Sequence, residues 1–337
     1  VKASKSFWVL FFVLAGIQLG YCQTNNNQNA HSLREILKPY FVPVAQDANF
    51  LNKELLKIQL GRQLFYDKRL STNTNVSCFS CHDLSAYGTN GTYYLEQKAK
   101  GTLYRDVPSV YNITPLPMFN ADGGIESIRK KLKQSLISDH EMAAESENTV
   151  VDALEQIDGY KPLFEQSFPE GDAITFDNAV SALQMFIQGL VTPAPIDDFI
   201  QGDDTALTRV QIEGGHVFND KNCYSCHTGS NIGGQMVQKL GVTEEWPNQT
   251  DLGYYKVFRN PAYKMFFRVS PLRNVDKTAP YFHDVSGETL VESIKLMGKY
   301  ERGLVITNEE ALKIQEFLKS LTGDLPMEYI KKPSLPQ

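Results

Sequence analysis

Cys78-Phe79-Ser80-Cys81-His82 and Cys223-Tyr224-Ser225-Cys226-His227 each set two thiols one helical turn apart, with an imidazole directly after the second. In that spacing each thiol can add to a vinyl group of one porphyrin, and the adjacent His then lies beneath the ring as an iron ligand. The pattern predicts two covalently bound haem c groups, one on Cys78, Cys81 and His82, the other on Cys223, Cys226 and His227. A thioredoxin-like dithiol or a zinc site needs no His at that place, and Cys81 and Cys223 are too far apart in the chain for a zinc ribbon. Four of the five cysteines are thereby used, and no pair remains for a disulfide.

The elements that must position these motifs are read from apolar spacing. Ser32 caps a short helix to Leu37, and Leu56, Leu60 and Leu64 share one face of a helix ending near Tyr66. Asp83 to Pro117 is rich in Gly, Tyr, Asn and Pro with little periodicity, as expected of a long loop wrapped around a cofactor. Further helices carry Ile125, Ile128, Leu132 and Leu136, then Val150, Val151, Leu154 and Ile157 up to Gly159. Another, capped by Thr175, carries Val180, Leu183, Ile187 and Leu190. Thr192 to Ile196, with two prolines, reads as a domain linker. Beyond it a helix from Thr205 carries Leu207 and Val210 and leads to the second motif. The glycine-rich Gly229–Gly234 loop lacks the preceding strand and the Lys of a phosphate cradle. A basic and aromatic stretch, Tyr254 to Arg268, precedes a helix with Leu290, Ile294 and Met297 on one face. Thr307 and Glu310 make a capping box for the last helix, which Gly323 ends. The expected fold is all-α, two cytochrome c-like haem domains with long loops, related by duplication.

The 337 residues suit two domains. The expected organisation is a signal peptide over 1–22, a polar tether over 23–31, a haem domain over 32–195, a second over 196–325 and a tail over 326–337. Lys2 and Lys5 before a short apolar run, Phe7 to Leu19, read as a secretory signal, so export to a periplasm-like compartment is expected. Cys22 is a candidate for a lipid anchor; cleavage just after it is the alternative. A net charge of −6, made more negative by haem propionates, suggests no nucleic-acid partner.

From about Ile58 to Gly323 the chain resembles the bacterial di-haem cytochrome c peroxidases. The resemblance rests on Leu60-Gly61-Arg62-Gln63-Leu64-Phe65-Tyr66-Asp67 with Arg69-Leu70-Ser71, on Thr192-Pro193, and on Cys226-His227-Thr228-Gly229. It rests most specifically on Pro271-Leu272-Arg273-Asn274-Val275 with Thr278-Ala279-Pro280-Tyr281-Phe282-His283-Asp284. The same stretches occur in the related di-haem enzymes that mature methylamine dehydrogenase. The resemblance implies that the N-terminal haem reduces hydrogen peroxide and that electrons arrive at the C-terminal haem from a small cytochrome c or a cupredoxin. It implies Met297 as the second axial ligand opposite His227; a Met on an amphipathic face is otherwise more often core. Met297 also favours a peroxidase, since the maturation enzymes carry Tyr in that role. It implies Glu141, followed by Met142, as the distal acid–base group, with partial burial raising its pKa toward neutrality. It further implies a calcium ion between the domains on Asp106 and the Thr278 and Pro280 segment, where the bland reading is a solvated loop carboxylate. A homodimer is compatible with the family.

Three departures alter what the resemblance implies. No His lies between His82 and His140, so the loop His that caps the N-terminal iron in many relatives is missing. An open or water-bound oxidised iron is therefore expected, with Tyr87, Tyr93, Lys98 and Met118 as other residues within loop reach. The segment that carries the Trp between the haems in relatives reads Asn120-Ala121-Asp122-Gly123-Gly124. The family's distal Gln falls at Lys131. His140 is a candidate neighbour of the distal pocket, while His31 lies in the tether and His216 reads as packing. The alternatives to a peroxidase are a maturation-type oxidase acting on a protein partner and a non-enzymatic di-haem electron carrier.

Overall fold

The Leu55–Tyr66 helix crosses Phe176–Gln188, and the Arg209–Asp220 helix crosses Asn308–Lys319. The computed structural model showing these pairs describes residues 28–71, 75–90 and 105–337. The leader with Lys2, Lys5 and Cys22, and Tyr93 and Lys98, lie outside the described residues. Both crossings are built around a glycine. A β-carbon on Gly61 would lie 1.9 Å from the Ala182 carbonyl oxygen, and one on Gly214 would lie 1.9 Å from that of Lys313. Four residues beyond each contacted carbonyl stands a buried phenylalanine, Phe186 and Phe317. The same close approach thus recurs in each half.

Two cores grow around these crossings. The first gathers Ile58, Leu60, Leu64 and Phe65 with Leu132, Leu154, Phe164 and Phe186. The second gathers Phe199, Phe218, Leu290, Ile294, Ile314 and Phe317. Their boundaries differ from the expected ones. Ala30, Leu33, Leu37 and Phe41, expected in the tether and the first domain, pack into the second core, and residues 28–37 form one helix. Ile330 of the tail packs into the first core, where Tyr66 donates to its carbonyl at 2.5 Å and Gly159 N–H donates to Gln337 O at 2.9 Å. The first described helix and the C-terminal tail are thus each buried against the opposite half.

Several expected elements are in place. Thr175 accepts from Asn178 N–H, and the Thr307–Glu310 capping box closes as written. Others shift for visible reasons. Leu56 is 49% exposed, because the Gly61 crossing fixes the buried face, and Leu56 lies about 140° round the helix from it. The helix expected from Thr205 begins at Arg209, because Asp203 ties up Thr205 in a side-chain turn and Thr208 supplies the cap. The Tyr160–Ser167 helix follows Gly159 too closely for the spacing to have shown it. Val237–Lys239 and Phe266–Arg268 form one short antiparallel pair, Val237 opposite Arg268.

The expected linker is a buried polar knot that joins the halves. Thr192 N–H donates to Asn112 Oδ1 at 2.9 Å, and its hydroxyl accepts from Asn112 at 2.8 Å and Asn274 at 2.9 Å. Asn231 donates to Asn112 O at 2.7 Å, and Asn274 accepts from Gly323 N–H at 3.1 Å. Gly323 therefore packs into this knot instead of ending the last helix, which stops at Lys319. Beside it the buried Arg273 guanidinium grips both oxygens of Asp197, at 2.5 and 2.9 Å. Asp197 also accepts from Val44 and Ala194 N–H, so its buried charge is fully bonded. The Thr-Pro and Leu-Arg-Asn motifs do structural work here, fixing the two halves together.

Candidate haem sites

The first motif forms the Cys78–Cys81 helical turn. Its start is held by Ser80, whose hydroxyl accepts from Ser77 N–H at 2.9 Å. His82 Nδ1 lies 3.1 Å from the Gly88 carbonyl oxygen. That contact fixes Nδ1 as the protonated nitrogen and leaves Nε2 for a metal. Gly88 sits at φ +73, and a β-carbon there would meet Val110, so only glycine brings this carbonyl to His82. Burial lowers the His82 pKa, keeping the imidazole neutral as a ligand must be. The second motif forms a tighter turn, Cys223–Ser225, entered through Asn222 in the left-handed region. Burial pushes the His227 pKa down to about 4, and its Nδ1 is buried without a hydrogen-bond partner.

These residues fit haem attachment. Burial pushes the thiols of Cys78 and Cys223 up to about 12. Arg268 is held by Nε donating to Asn120 O at 3.1 Å, while its buried Nη1 has no partner. An unspent buried cationic donor of this kind suits a propionate.

The structure brings Glu141 to the first motif. It stands in the turn after the Ile128–Ile137 helix, its N–H bonded to Ser138 O at 2.9 Å. Its carboxylate and the Lys131 ammonium both act electrostatically on Cys78 and His82. The expected rise of the Glu141 pKa is overturned. Glu141 is an exposed residue whose carboxyl is partly desolvated by the surrounding protein, which acts upward, but Lys131, bonded to Oε1 at 2.7 Å and aided by Ser135, outweighs it and holds the carboxyl below its ordinary value. Lys131 stands where the resemblance puts the distal Gln, but its pairing with Glu141 was not read from the sequence, since no local pattern links positions ten apart across a helix end. Met142 is buried, whereas His140 is exposed.

Met297 lies on the Leu290–Arg302 helix, half-buried. It packs with Ala121, Phe282 and Tyr300 against a small cluster of Trp246, Met265 and Phe267. Trp246 was also missed, although Trp8 and Trp246 are the chain's two tryptophans and Trp8 falls in the leader. Its ring lies 4.7 Å from Phe282 and 5.0 Å from Tyr300, and its N–H donates to Asp284 at 3.1 Å. An indole from elsewhere in the chain thus packs in the cluster that Ala121 touches. His283 stacks on Phe267 at 4.1 Å.

Asp106 meets the loop of Thr278 and Pro280 through its N–H, which donates to His283 O at 3.0 Å. Its carboxylate accepts from Val107 N–H at 2.8 Å, and burial pushes its pKa up to about 7. No group of three acidic, His or Cys side chains suited to a metal occurs among the described residues. Of the loop residues within reach of the first motif, Tyr87 is committed elsewhere, its hydroxyl donating to Gly323 O at 3.3 Å, and Met118 lies beside Gly123. His216 Nε2 sits 3.1 Å from Asn29 O and is a packing residue, and His31 contacts Arg34 at 3.2 Å. No described helix is long and apolar enough to cross a membrane.

A sequence profile of the di-haem cytochrome c peroxidases matches residues 56–205. The chain is 34% identical to cytochrome c551 peroxidase of Nitrosomonas europaea, over 82% of this chain and 83% of that protein. It is 31% identical to cytochrome c551 peroxidase of Pseudomonas aeruginosa, over 91% of this chain and 90% of that one. Among solved structures, a MauG-like protein associated with microbial copper homeostasis superposes with a TM-score of 0.71. It is 23% identical, with 87% of this chain and 96% of that chain covered.

Proposed function

The chain belongs to the di-haem cytochrome c peroxidase family, and on that premise we propose that hydrogen peroxide is reduced at the His82 haem. Electrons would enter at a second haem, which His227 and Met297 would hold. The haem irons supply the redox chemistry when bound. The observation that carries the reading is the Lys131–Glu141 pair beside His82 and Cys78. Because Lys131 keeps Glu141 ionised, the carboxylate starts as a base. It takes a proton from the near oxygen of peroxide and returns it to the leaving oxygen. Two electrons and two further protons then balance the reduction of one peroxide to two waters. Met297 is a soft thioether that raises the potential of the iron it ligates, which suits electron entry. The donor in this reading is a small cytochrome c or a cupredoxin, and the protein is exported.

Asp106, with backbone oxygens at Thr278 and Pro280, is the proposed calcium site. Its half-buried carboxylate has a single hydrogen-bond donor and no ion pair among the described residues, and a hard cation would keep it charged at neutral pH.

The test is steady-state turnover of peroxide with a reduced small cytochrome. Glu141→Gln keeps size and removes the titrating carboxylate. Turnover should fall roughly 100-fold with haem content unchanged. Wild-type turnover in the variant would remove Glu141 from the mechanism.

A further inference from the structure

Residues 256–264 are exposed without interruption, and they carry Val257, Phe258 and Tyr263 at 41%, 56% and 38% exposure. The segment is ordered by its own contacts. Two short turns, Tyr255–Phe258 and Pro261–Tyr263, are joined through Arg259 in the left-handed region and Asn260, whose side chain caps the second. The rings form a continuous ridge: Tyr254 to Phe258 at 4.6 Å, Tyr254 to Tyr263 at 5.4 Å, and Tyr263 to Phe266 at 5.9 Å. Single exposed apolar side chains need no explanation, but a preorganised aromatic ridge in water does.

The charge of the ridge opposes that of the chain. Leu252 to Val275 contains no Asp or Glu, in a protein of net charge −6. Lys256 is tied to Asp251 at 2.9 Å, whereas Lys264 lies over the Tyr255 ring at 5.7 Å and Arg259 has no ion pair among the described residues. The ridge ends where the Met297 cluster begins. Met265, the next residue, is buried with Trp246 and Phe267 against Met297. Aromatic side chains and Arg are the residue types enriched at protein interfaces, and rim charges set encounter rates.

We propose that residues 254–264 form the docking surface for the electron-donor protein, a small redox protein with an acidic rim around an apolar contact. The assignment rests on the reading that electrons enter at the Met297 haem. A knob of this size gives the small, transient contact expected of electron-transfer encounters. Arg259 and Lys264 steer the partner, and Phe258 and Tyr263 seat it.

The experiment uses the full holoprotein and the double variant R259E/K264E, with F258A as a second variant. Binding to a small acidic cytochrome and to a small basic one is measured calorimetrically at low and at near-physiological salt. Turnover is measured in parallel with each cytochrome and with a small uncharged reductant. For R259E/K264E, kcat/KM with the acidic cytochrome should fall at least about tenfold at low salt, with a flattened salt dependence. F258A should weaken binding without changing that dependence. Turnover with the small reductant should be unchanged, showing intact haem sites. Unchanged binding of the acidic cytochrome by both variants would overturn the docking surface. So would a preference of the wild type for the basic cytochrome, or a change from dimer to monomer caused by R259E/K264E, which would make the ridge a self-association face. Peroxide turnover absent with every reductant, while variant binding is still weakened, would sink the entry-site reading and leave the docking surface standing.

Discussion

Around Gly61 and around Gly214 the chain builds the same helix crossing, down to a phenylalanine four residues past the contacted carbonyl. The surroundings of the two Cys-Cys-His motifs then diverge. The first faces an ion pair, Lys131 with Glu141, and its His82 is anchored through Nδ1 to Gly88 O. The second half instead packs Met297 on a cluster of Trp246, Met265 and Phe267, with aromatic rings around it. A carboxylate and an ammonium move and hold protons; a thioether among aromatic rings does neither. The difference teaches that the two halves share a helix crossing and differ in what surrounds the Cys-Cys-His motif. In the proposed reading, proton chemistry belongs to one half and electron entry to the other.

The shared part of the comparison breaks most violently. In Gly61→Val or Gly214→Val the added carbons must displace a backbone oxygen, not a flexible side chain. Each variant should lose more than about 4 kcal/mol, the range reserved for severe core disruption. Haem incorporation and a denaturation midpoint check this. A stable Gly214→Val protein with both haems attached would show that the second crossing is looser than the first.

The divergent part is sharpened by Met297→Ala. Removing the thioether should lower the potential of the C-terminal haem and slow its reduction by the donor, leaving the N-terminal haem spectrum as it was. The same potential and spectrum in the variant would return Met297 to the role of a packing residue.

A smaller effect concerns the resting state. Tyr87 is bonded to Gly323 and Met118 lies against Gly123, so neither is poised to cap the N-terminal iron. Fully oxidised protein should therefore react with stoichiometric peroxide, and separately with cyanide, as quickly as half-reduced protein does. A low-spin form indifferent to both until one electron is added would identify a capping residue.

The parts legible in the sequence were those set by short-range spacing: the turn at each Cys-Cys-His motif and the capped helices at Thr175 and Thr307. Three of the unread parts depend on residues that do not neighbour each other in sequence. Thr192 to Ile196 read only as a domain linker because its prolines are visible while the partners of Thr192 and of its knot, Asn112, Asn231 and Asn274, lie far away. The helix of residues 28–37 was assigned to the wrong half because its apolar face, Leu33 and Leu37, fits either core equally well. Glu141 was assigned the wrong direction of pKa shift because burial was foreseen and the Lys131 ammonium was not.

That ion pair supplies the finest test of the comparison. Burial alone would raise the Glu141 pKa; the ammonium of Lys131, first among the opposing causes, takes it below the ordinary value. A carboxyl with a depressed pKa stays ionised above its ordinary titration range and is protonated only as pH falls through the lower, folded value. Since Glu141 acts first as a base, the acid limb of peroxide turnover in the wild type should lie below that of an ordinary glutamate. Lys131→Met removes the ammonium and leaves burial opposed mainly by the Ser135 hydroxyl, so the limb should move upward. The rate at about pH 5, relative to pH 7, should fall. Lys131→Gln keeps a hydrogen-bond donor without the charge and should shift the limb less than Lys131→Met does. Burial and backbone contacts, not an ion pair, set the state of His227, so reduction of the C-terminal haem by the donor should keep its pH dependence in both variants. An acid limb that stays in place in Lys131→Met would mean that Glu141 is not the group whose ionisation controls the rate.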